Sequence, residues 1–161
     1  MKSIAPILML LLLGGIGNVE SAIAGDADAV GTAVINDMRI ELYLSAPKTD
    51  LAKTSGKPTA MTGLPTHHFK VKVFDVETGR FIPYLDVLLH FKNLSSNRMS
   101  MLSLSPMLGS WFHYGSNGAL IEKGRYEVTV YVNLQNLMRY GAAEKKWGQS
   151  TTVRFDYDWE G

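Results

Sequence analysis

The segment Arg125-Tyr126-Glu127-Val128-Thr129-Val130-Tyr131-Val132 decides the fold class, because its apolar residues alternate along the chain. In an extended chain every second side chain points to the same face, so this period places one apolar face on a single side. That face would carry Tyr126, Val128, Val130 and Val132. β-branched and aromatic residues in this pattern are typical of a strand with one buried face, and we predict a strand over 125–132.

Shorter segments of the same kind occur on both sides of this strand, with turn residues between them. We predict strands at 34–44, 68–76, 81–91, 98–104 and 150–159. We expect residues 25–31 to be a loose N-terminus and residues 46–65 to be a long exposed loop. Residues 134–143 have weak helical character, and we expect that helix to end at Gly141. Six or seven short strands separated by turns are typical of a sandwich. The sequence therefore predicts an all-β, immunoglobulin-like antiparallel β-sandwich of about seven strands.

The N-terminus has the features of a secretory signal. Lys2 supplies a positive charge, residues 4–16 are almost wholly apolar, and Ala22-Ile23-Ala24 has the small-x-small pattern of a cleavage site. A membrane anchor is the alternative, but this apolar run is shorter than the roughly 20 residues that a spanning helix needs. We expect a signal peptide at 1–24 that is cleaved. Residues 25–161 would then form a single periplasmic domain with no membrane anchor once processed.

Composition excludes several classes of function. The chain has no cysteine, which removes disulfides and every thiolate-based metal site or nucleophile. Its formal net charge of +1 gives no electrostatic basis for binding nucleic acid. The sequence contains no pattern of paired acid–base carboxylates and no Ser-His-Asp arrangement. We therefore do not expect an enzyme.

The residues that carry chemistry are methionine and histidine. Met107 and His113 are expected to lie a short loop apart, and the pair His67-His68 opens a strand upstream. Thioether sulfur and imidazole nitrogen are the ligands that soft or borderline metals, copper above all, select when thiolate is missing. Because neighbouring residues of a strand point to opposite faces, only one histidine of the pair is expected to join a single site. The sequence leaves open which one.

Three pieces of the chain resemble the family of periplasmic iron-transport proteins and pathogen-specific membrane antigens. They follow one another in the order of that family and together span about 34–157. The third piece is the most specific of them. The pieces are the histidine-bearing strand around His68; Phe81-Ile82-Pro83-Tyr84-Leu85; and Pro106-Met107 followed by His113-Tyr114-Gly115-Ser116-Asn117 and Gly124-Arg125-Tyr126-Glu127-Val128.

This resemblance implies an immunoglobulin-like homodimer in the periplasm that binds copper, as Cu(I) or Cu(II), with iron as a further metal. It implies an accessory role in high-affinity iron uptake beside an inner-membrane iron permease. In that family a methionine and several histidines hold the metal near the dimer interface, with a glutamate close by. Carried over by motif, the metal ligands are His68 (or His67), Met107 and His113.

Two departures from the family pattern keep other functions open. Lys70 stands where the family glutamate is expected, and residues 137–141 contain no counterpart of a further family histidine. One alternative is a metal-free immunoglobulin-like interaction module. Another is a periplasmic copper carrier unrelated to iron, which would use Met99 and Met101 together with Met107.

Other residues near these motifs also have two interpretations. We expect His90, which lies within an apolar strand, to be structural. Trp111, Phe112 and Tyr114 either shield the metal as neighbouring aromatic groups can or anchor a dimer interface.

Overall fold

The computed structural model describes residues 28–48, 65–134, 137–148 and 150–161, together with the backbone of Val19–Glu20. Nine β-strands and a short 3-10 helix at Gly141–Ala143 make up the regular structure of this part of the chain. The strands are β1 Val19–Glu20, β2 Ala29–Ile35, β3 Met38–Ser45, β4 His67–Asp75, β5 Asp86–Asn93, β6 Met99–Leu108, β7 Phe112–Gly118, β8 Gly124–Asn133 and β9 Ser150–Trp159. The all-β prediction is confirmed. Among the described residues, no helix has the length and apolar character needed to cross a membrane.

The strands form one continuous antiparallel sheet in the order β1-β2-β3-β4-β7-β6-β5-β8-β9. Strand β6 connects two halves of this sheet, because residues 99–104 pair with β5 and residues 105–108 pair with β7. The two ends of the sheet approach each other. An ideal Cβ at Gly31 in β2 would lie 2.8 Å from the Phe155 ring in β9, so the absence of a side chain allows this approach. The result is nearly a barrel.

The hydrophobic core lies between the two halves of the sheet. The rings of Phe69 in β4 and Phe91 in β5 lie 4.5 Å apart between centroids. Along β4 the inward residues Phe69, Val71 and Val73 are fully buried, and they alternate with residues of the outer face as the sequence predicted. This alternation matters for function, because it fixes which side chains of β4 point away from the core.

The N-terminal half differs from the prediction. The single strand expected over 34–44 is a hairpin of β2 and β3, and part of the expected loose N-terminus belongs to β2. Asn36 and Asp37 form the turn, with φ values of 49° and 61°. Positive φ at both central residues is typical of the tight turn whose twist matches that of the flanking strands, and Asn and Asp tolerate this conformation.

Three further predictions need correction. The stretch from Met107 to His113, expected to be a loop, is a hairpin in which β6 carries Met107 and β7 carries His113. The strand expected from residue 81 begins at Asp86. The short helix begins at Gly141, where the predicted helix was to end. Because β2 and β7 were missed, the strand count exceeds seven.

Two predictions fall mainly outside the described residues. The predicted signal peptide, 1–24, is described only at the backbone of Val19–Glu20, which pairs with β2. The predicted loop over 46–65 is described only at its two ends.

Candidate metal centre

Three adjacent strands, β4, β7 and β6, bring the predicted ligands to one face of the sheet. His113 in β7 lies directly opposite Met107 in β6, and His68 in β4 lies opposite Asn117 in β7. Directly opposite residues of an antiparallel pair share a face, and so do residues two or four apart on one strand. His68, Met107 and His113 therefore share the outer face, on the side away from the core.

Gly115 provides the space in which these side chains meet. It lies in β7 between His113 and Asn117, and the rings of His68 and His113 are 5.8 Å apart between centroids, nearly perpendicular at 89°. An ideal Cβ at Gly115 would lie 3.0 Å from the Met107 sulfur and 3.1 Å from Nε2 of His113. Sulfur and nitrogen thus converge on one point that only glycine leaves empty.

Hydrogen bonding fixes the tautomer of His113. Its Nδ1 lies 2.9 Å from the carbonyl oxygen of Trp111, and a carbonyl only accepts, so Nδ1 carries the proton. In a neutral ring Nε2 is then unprotonated. This atom is buried without a hydrogen-bond partner, one of three such side-chain atoms in the described part of the chain. A buried imidazole nitrogen with a free lone pair and no hydrogen-bond partner is suited to bind a metal.

A second network fixes His68. Asn117 donates through its amide to the carbonyl of Lys48 at 2.7 Å and accepts from the Lys48 N–H at 3.1 Å. These bonds orient the amide, and its oxygen lies 3.0 Å from Nδ1 of His68. Nδ1 therefore donates, which leaves the lone pair of Nε2 free to bind a metal. Ser45, opposite His68 in β3, carries another of the buried unpaired atoms.

Both imidazoles are held in the neutral form that binds metals. Burial lowers the pKa of His68 to about 4; the Asn117 hydrogen bond opposes this, and the charges of His113, Lys70 and Lys48 add to it. Burial also lowers the pKa of His113, against the hydrogen bond to the Trp111 carbonyl. Both rings are neutral at pH 7.

Lys70, which replaces the expected glutamate, lies on the same outer face opposite Gly115. Its ammonium group makes an ion pair with Asp28 at 3.3 Å. A carboxylate, Glu41 in β3, also lies on this face, opposite Lys72. Both of its oxygens are engaged, by the Tyr43 hydroxyl at 2.7 Å and by Nε of Arg39 at 2.9 Å. Neither position supplies a free hard oxygen ligand.

In the described part of the chain, carboxylate and imidazole side chains alone do not form a metal site. No group of three or more His, Cys, Asp or Glu side chains that could hold a metal occurs within the described residues. The thioether of Met107 is therefore needed to make a set of three donors. Two nitrogens and one sulfur suit copper and do not suit a hard cation.

His67 belongs to the other face of β4. Its ring nitrogens contact the hydroxyls of Thr66 at 2.8 Å and Tyr157 at 3.1 Å, and its ring packs 5.4 Å from that of Trp159. Both nitrogens are occupied and the ring is buried. Of the two histidines left open by the sequence, His68 is the one that lies beside His113.

The aromatic residues around His113 have different roles. Phe112 and Tyr114 point to the opposite face of β7, so they do not shield His113. The Tyr114 hydroxyl donates to the carbonyl of Ile82 at 2.8 Å and accepts from the Leu85 N–H at 3.1 Å. It thereby holds the segment 81–85 against the sheet. Trp111 is 75% exposed, and its backbone carbonyl accepts the hydrogen bond from His113 Nδ1.

The sequence interpretation missed two residues that shape this centre, Gly115 and Asn117. Gly115 follows His113 by two residues, and Asn117 follows Gly115 by two. This alternation was the sequence signal that could have placed them on the same face as His113. It was not visible because β7 was expected to be a loop. Once the strand is known, alternation alone places His113, Gly115 and Asn117 on one face.

The fold and this cluster define a class of small all-β protein with imidazole and thioether donors on one outer face of the sheet. The chain belongs to the Fe2+ transport protein family, which matches residues 64–161. This is a transport family. A comparison with curated proteins found no match.

Solved structures with this fold include proteins from two bacteria. The copper-bound glutamate-to-glutamine variant of FetP from uropathogenic Escherichia coli strain F11 has a TM-score of 0.69 at 19% identity, covering 83% of this chain and 97% of its own. Copper-reconstituted P19 from Campylobacter jejuni has a TM-score of 0.68 at 20% identity, covering 86% of this chain and 98% of its own. At these identities the likeness establishes the fold.

Proposed function

We propose that this protein binds copper through His68, Met107 and His113 and acts as an accessory of iron uptake in the periplasm. One observation carries the proposal: the Met107 sulfur and the unpaired Nε2 of His113 converge above Gly115, with the His68 ring 5.8 Å from that of His113. Membership of the Fe2+ transport protein family supports the link to iron. The copper in the FetP and P19 structures supports the choice of metal.

The donor set favours copper over iron as the resident metal. Two imidazoles and a thioether suit Cu(I) and Cu(II), whereas iron prefers the carboxylate that Lys70 replaces. Copper held there would supply one-electron redox chemistry. The chain's own residues keep both imidazoles neutral, fix their orientation through the Trp111 carbonyl and Asn117, and position the sulfur. Iron would then be cargo, bound more weakly than copper.

The remaining parts of the proposal concern architecture, assembly and location. The two halves of the sheet, joined by β6 with the core between them, would correspond to the layers of an immunoglobulin-like sandwich. The signal peptide over 1–24 would direct the chain to the periplasm. A homodimer and an inner-membrane iron permease would be the partners implied by the family resemblance. The chain has only four histidines, so a further imidazole for His68 and His113 would have to come from a second copy.

Competition titration with a chromophoric chelator, for Cu(I) under anaerobic conditions and for Cu(II), tests the copper site. We expect His113→Ala and Met107→Leu each to weaken the tightest binding at least tenfold. Met138→Leu is the matched control, because that side chain is 90% exposed and far from the site in sequence. Wild-type affinity in His113→Ala would refute the assignment. No copper binding by the wild-type protein would favour the metal-free interaction module.

A copper carrier unrelated to iron is the second candidate, and Lys70 favours it. A cation in place of a carboxylate beside the metal disfavours higher charge states and so favours Cu(I). Comparing a deletion strain with wild type separates the two. If the protein serves iron uptake, the deletion strain should grow more slowly than wild type under iron limitation. If it is a copper carrier, the deletion strain should grow normally on low iron and show altered copper tolerance.

A further inference from the structure

The outer face of the other half of the sheet carries a second pairing of imidazole with thioether. His90 in β5 lies directly opposite Met101 in β6, as His113 lies opposite Met107. Met99 precedes Met101 by two residues on the same strand and shares its face. Because directly opposite Cβ atoms in an antiparallel pair are about 4.5–5.5 Å apart, the two side chains are within reach of one small ion.

His90 has a buried nitrogen without a partner. Its Nε2 is one of the three unpaired buried side-chain atoms in the described part of the chain, and the other two, Ser45 Oγ and His113 Nε2, lie at the first centre. The ring rests against Tyr131, with centroids 4.6 Å apart. A buried imidazole nitrogen without a partner costs free energy whether it is protonated or not. Our expectation that His90 is simply structural does not account for this atom.

The methionines beside it are unusual in their exposure. Met99 is 63% and Met101 is 59% exposed, at the first and third positions of a strand that has a neighbour on each side in the sheet. Methionine is usually a buried residue that fills gaps in a core. Here two thioethers lie open to solvent next to an imidazole. An open groove beside this face has His90, Leu88, Ser103 and Tyr131 in its lining together with Asp86, and neither methionine lines it.

We propose that His90 and Met101 form a second metal site, specific for Cu(I), with Met99 as a further thioether. The donors are one imidazole and soft sulfur, and the strand residues opposite His90 and Met99 are Thr129 and Lys92. Glu127 lies on this face opposite Lys92, and its carboxylate is 4.0 Å from Arg154. The choice of ion therefore rests on the donors, because thioether sulfur and imidazole favour a soft monovalent ion over a hard divalent one.

The two sites are separate. Met101 and Met107 lie on the same strand six residues apart, which is roughly 20 Å along an extended chain. Met101 belongs to the part of β6 that pairs with β5, and Met107 to the part that pairs with β7. One ion cannot bind both. This proposal therefore stands or falls independently of the first centre.

Titration with Ag(I), a redox-inert substitute for Cu(I), tests the second site when methionine methyl groups are observed by NMR. We expect the Met101 methyl signal to shift. In His90→Gln that shift should require at least tenfold more Ag(I), while the Met107 signal responds as in wild type. The Met107 signal reports the first centre in the same experiment.

Internal controls come from the other methionines. Met138 is 90% exposed and has no imidazole opposite it, so it is the control for an exposed thioether outside the site. Met38 is fully buried, and an unchanged Met38 signal confirms that the variant is folded. If His90→Gln does not fold, Met101→Leu replaces it, and loss of one bound equivalent is expected. An unmoved Met101 signal at saturating Ag(I), or the same response in His90→Gln, would overturn the proposal.

Discussion

Glycine at position 115 is the residue on which the first centre depends most. The side chains of Met107 and His113 occupy the space above it, 3.0 and 3.1 Å from the place where a Cβ would lie. Contacts this short require the neighbours to move by a few tenths of an ångström. The Met107 sulfur is near the end of a flexible side chain, whereas the His113 ring is held by the Trp111 carbonyl. The fold can therefore adapt by moving Met107, and the two donors lose their shared position.

Gly115→Ala is therefore expected to weaken copper binding about tenfold, or about 1.4 kcal/mol, and to leave the free energy of unfolding nearly unchanged. Competition titration and urea unfolding measure the two quantities. Gly109→Ala is the matched control, because its Cβ would lie 3.6 Å from the His113 ring, an ordinary contact. Equal affinities for Gly115→Ala and Gly109→Ala would contradict this role.

Asp75 is the second residue whose chemistry can be tested, and it stabilises the fold away from the metal ligands. Its carboxylate is buried and accepts from the N–H and hydroxyl of Thr78, from the Trp147 indole at 2.8 Å and from Lys146 at 2.9 Å. Burial alone would raise the pKa of Asp75. The hydrogen bonds from Lys146, Thr78 and Trp147 outweigh burial and hold that pKa well below its ordinary value.

This pKa predicts how stability depends on pH. A carboxyl group with a lowered pKa in the folded state stabilises the protein above its unfolded pKa of about 3.9, and that contribution is lost as pH falls further. Asp75→Asn should cost about 2 kcal/mol at pH 7. The difference in the free energy of unfolding between Asp75→Asn and wild type should become smaller below about pH 4. Urea unfolding from pH 7 to pH 3 measures it, and a difference that stays constant with pH would contradict the assignment.

At the scale of elements, Tyr114 connects strand β7 to the irregular segment 81–85 before β5. The side chain is fully buried, and its hydroxyl makes hydrogen bonds with the backbone of Ile82 and Leu85. Burial raises the pKa of Tyr114 to about 12, so the hydroxyl remains a donor at physiological pH. The aromatic-Ile-Pro-Tyr-Leu segment and the His-Tyr-Gly motif are therefore parts of one structural contact.

Tyr114→Phe should lower the free energy of unfolding by about 1–2 kcal/mol, since two buried backbone groups lose their partner. Chemical denaturation measures this change. Tyr131→Phe, on the partly exposed outer face of β8, is the control and should differ from wild type by less than 0.5 kcal/mol, about the usual size of a surface effect. Equal effects in the two variants would show that the contact does not stabilise the segment.

Alternation made most strands predictable, and local turn chemistry explains the ones that were missed. The patterns of β4, β8 and β9 were visible because large apolar residues occupy every second position. Strand β7, Phe-His-Tyr-Gly-Ser-Asn-Gly, has small and polar residues that suggest a loop. Its extended form depends on pairing with β4 and β6, which no local pattern contains. The turn at Asn36-Asp37 was recognisable in principle, since both residues are favoured at positive φ.

At the scale of the whole molecule, the candidate centre joins the β6–β7 hairpin to β4, a strand that is distant from it in sequence. His68 and His113 come from β4 and β7, and Met107 from β6, the strand that connects both halves of the sheet. Motif resemblance could name these residues but could not decide between His67 and His68. That choice depends on which face of β4 lies against the core.

Copper should therefore stabilise the entire fold. A ligand that binds only the folded state at 100 times its dissociation constant adds about 2.7 kcal/mol, which corresponds to a rise in Tm of roughly 5–10 °C. Thermal unfolding with and without copper measures this shift. The shift should be smaller in Met107→Leu and unchanged in Met138→Leu. A wild-type Tm that copper does not raise would favour the metal-free interaction module.

The most direct test is crystallography of the copper-loaded protein with anomalous diffraction at the copper absorption edge. We expect an anomalous peak within bonding distance of His68 Nε2, His113 Nε2 and the Met107 sulfur, above Gly115. If a crystal with stoichiometric copper showed no peak at Met107 and His113, the assignment of the first centre would be contradicted.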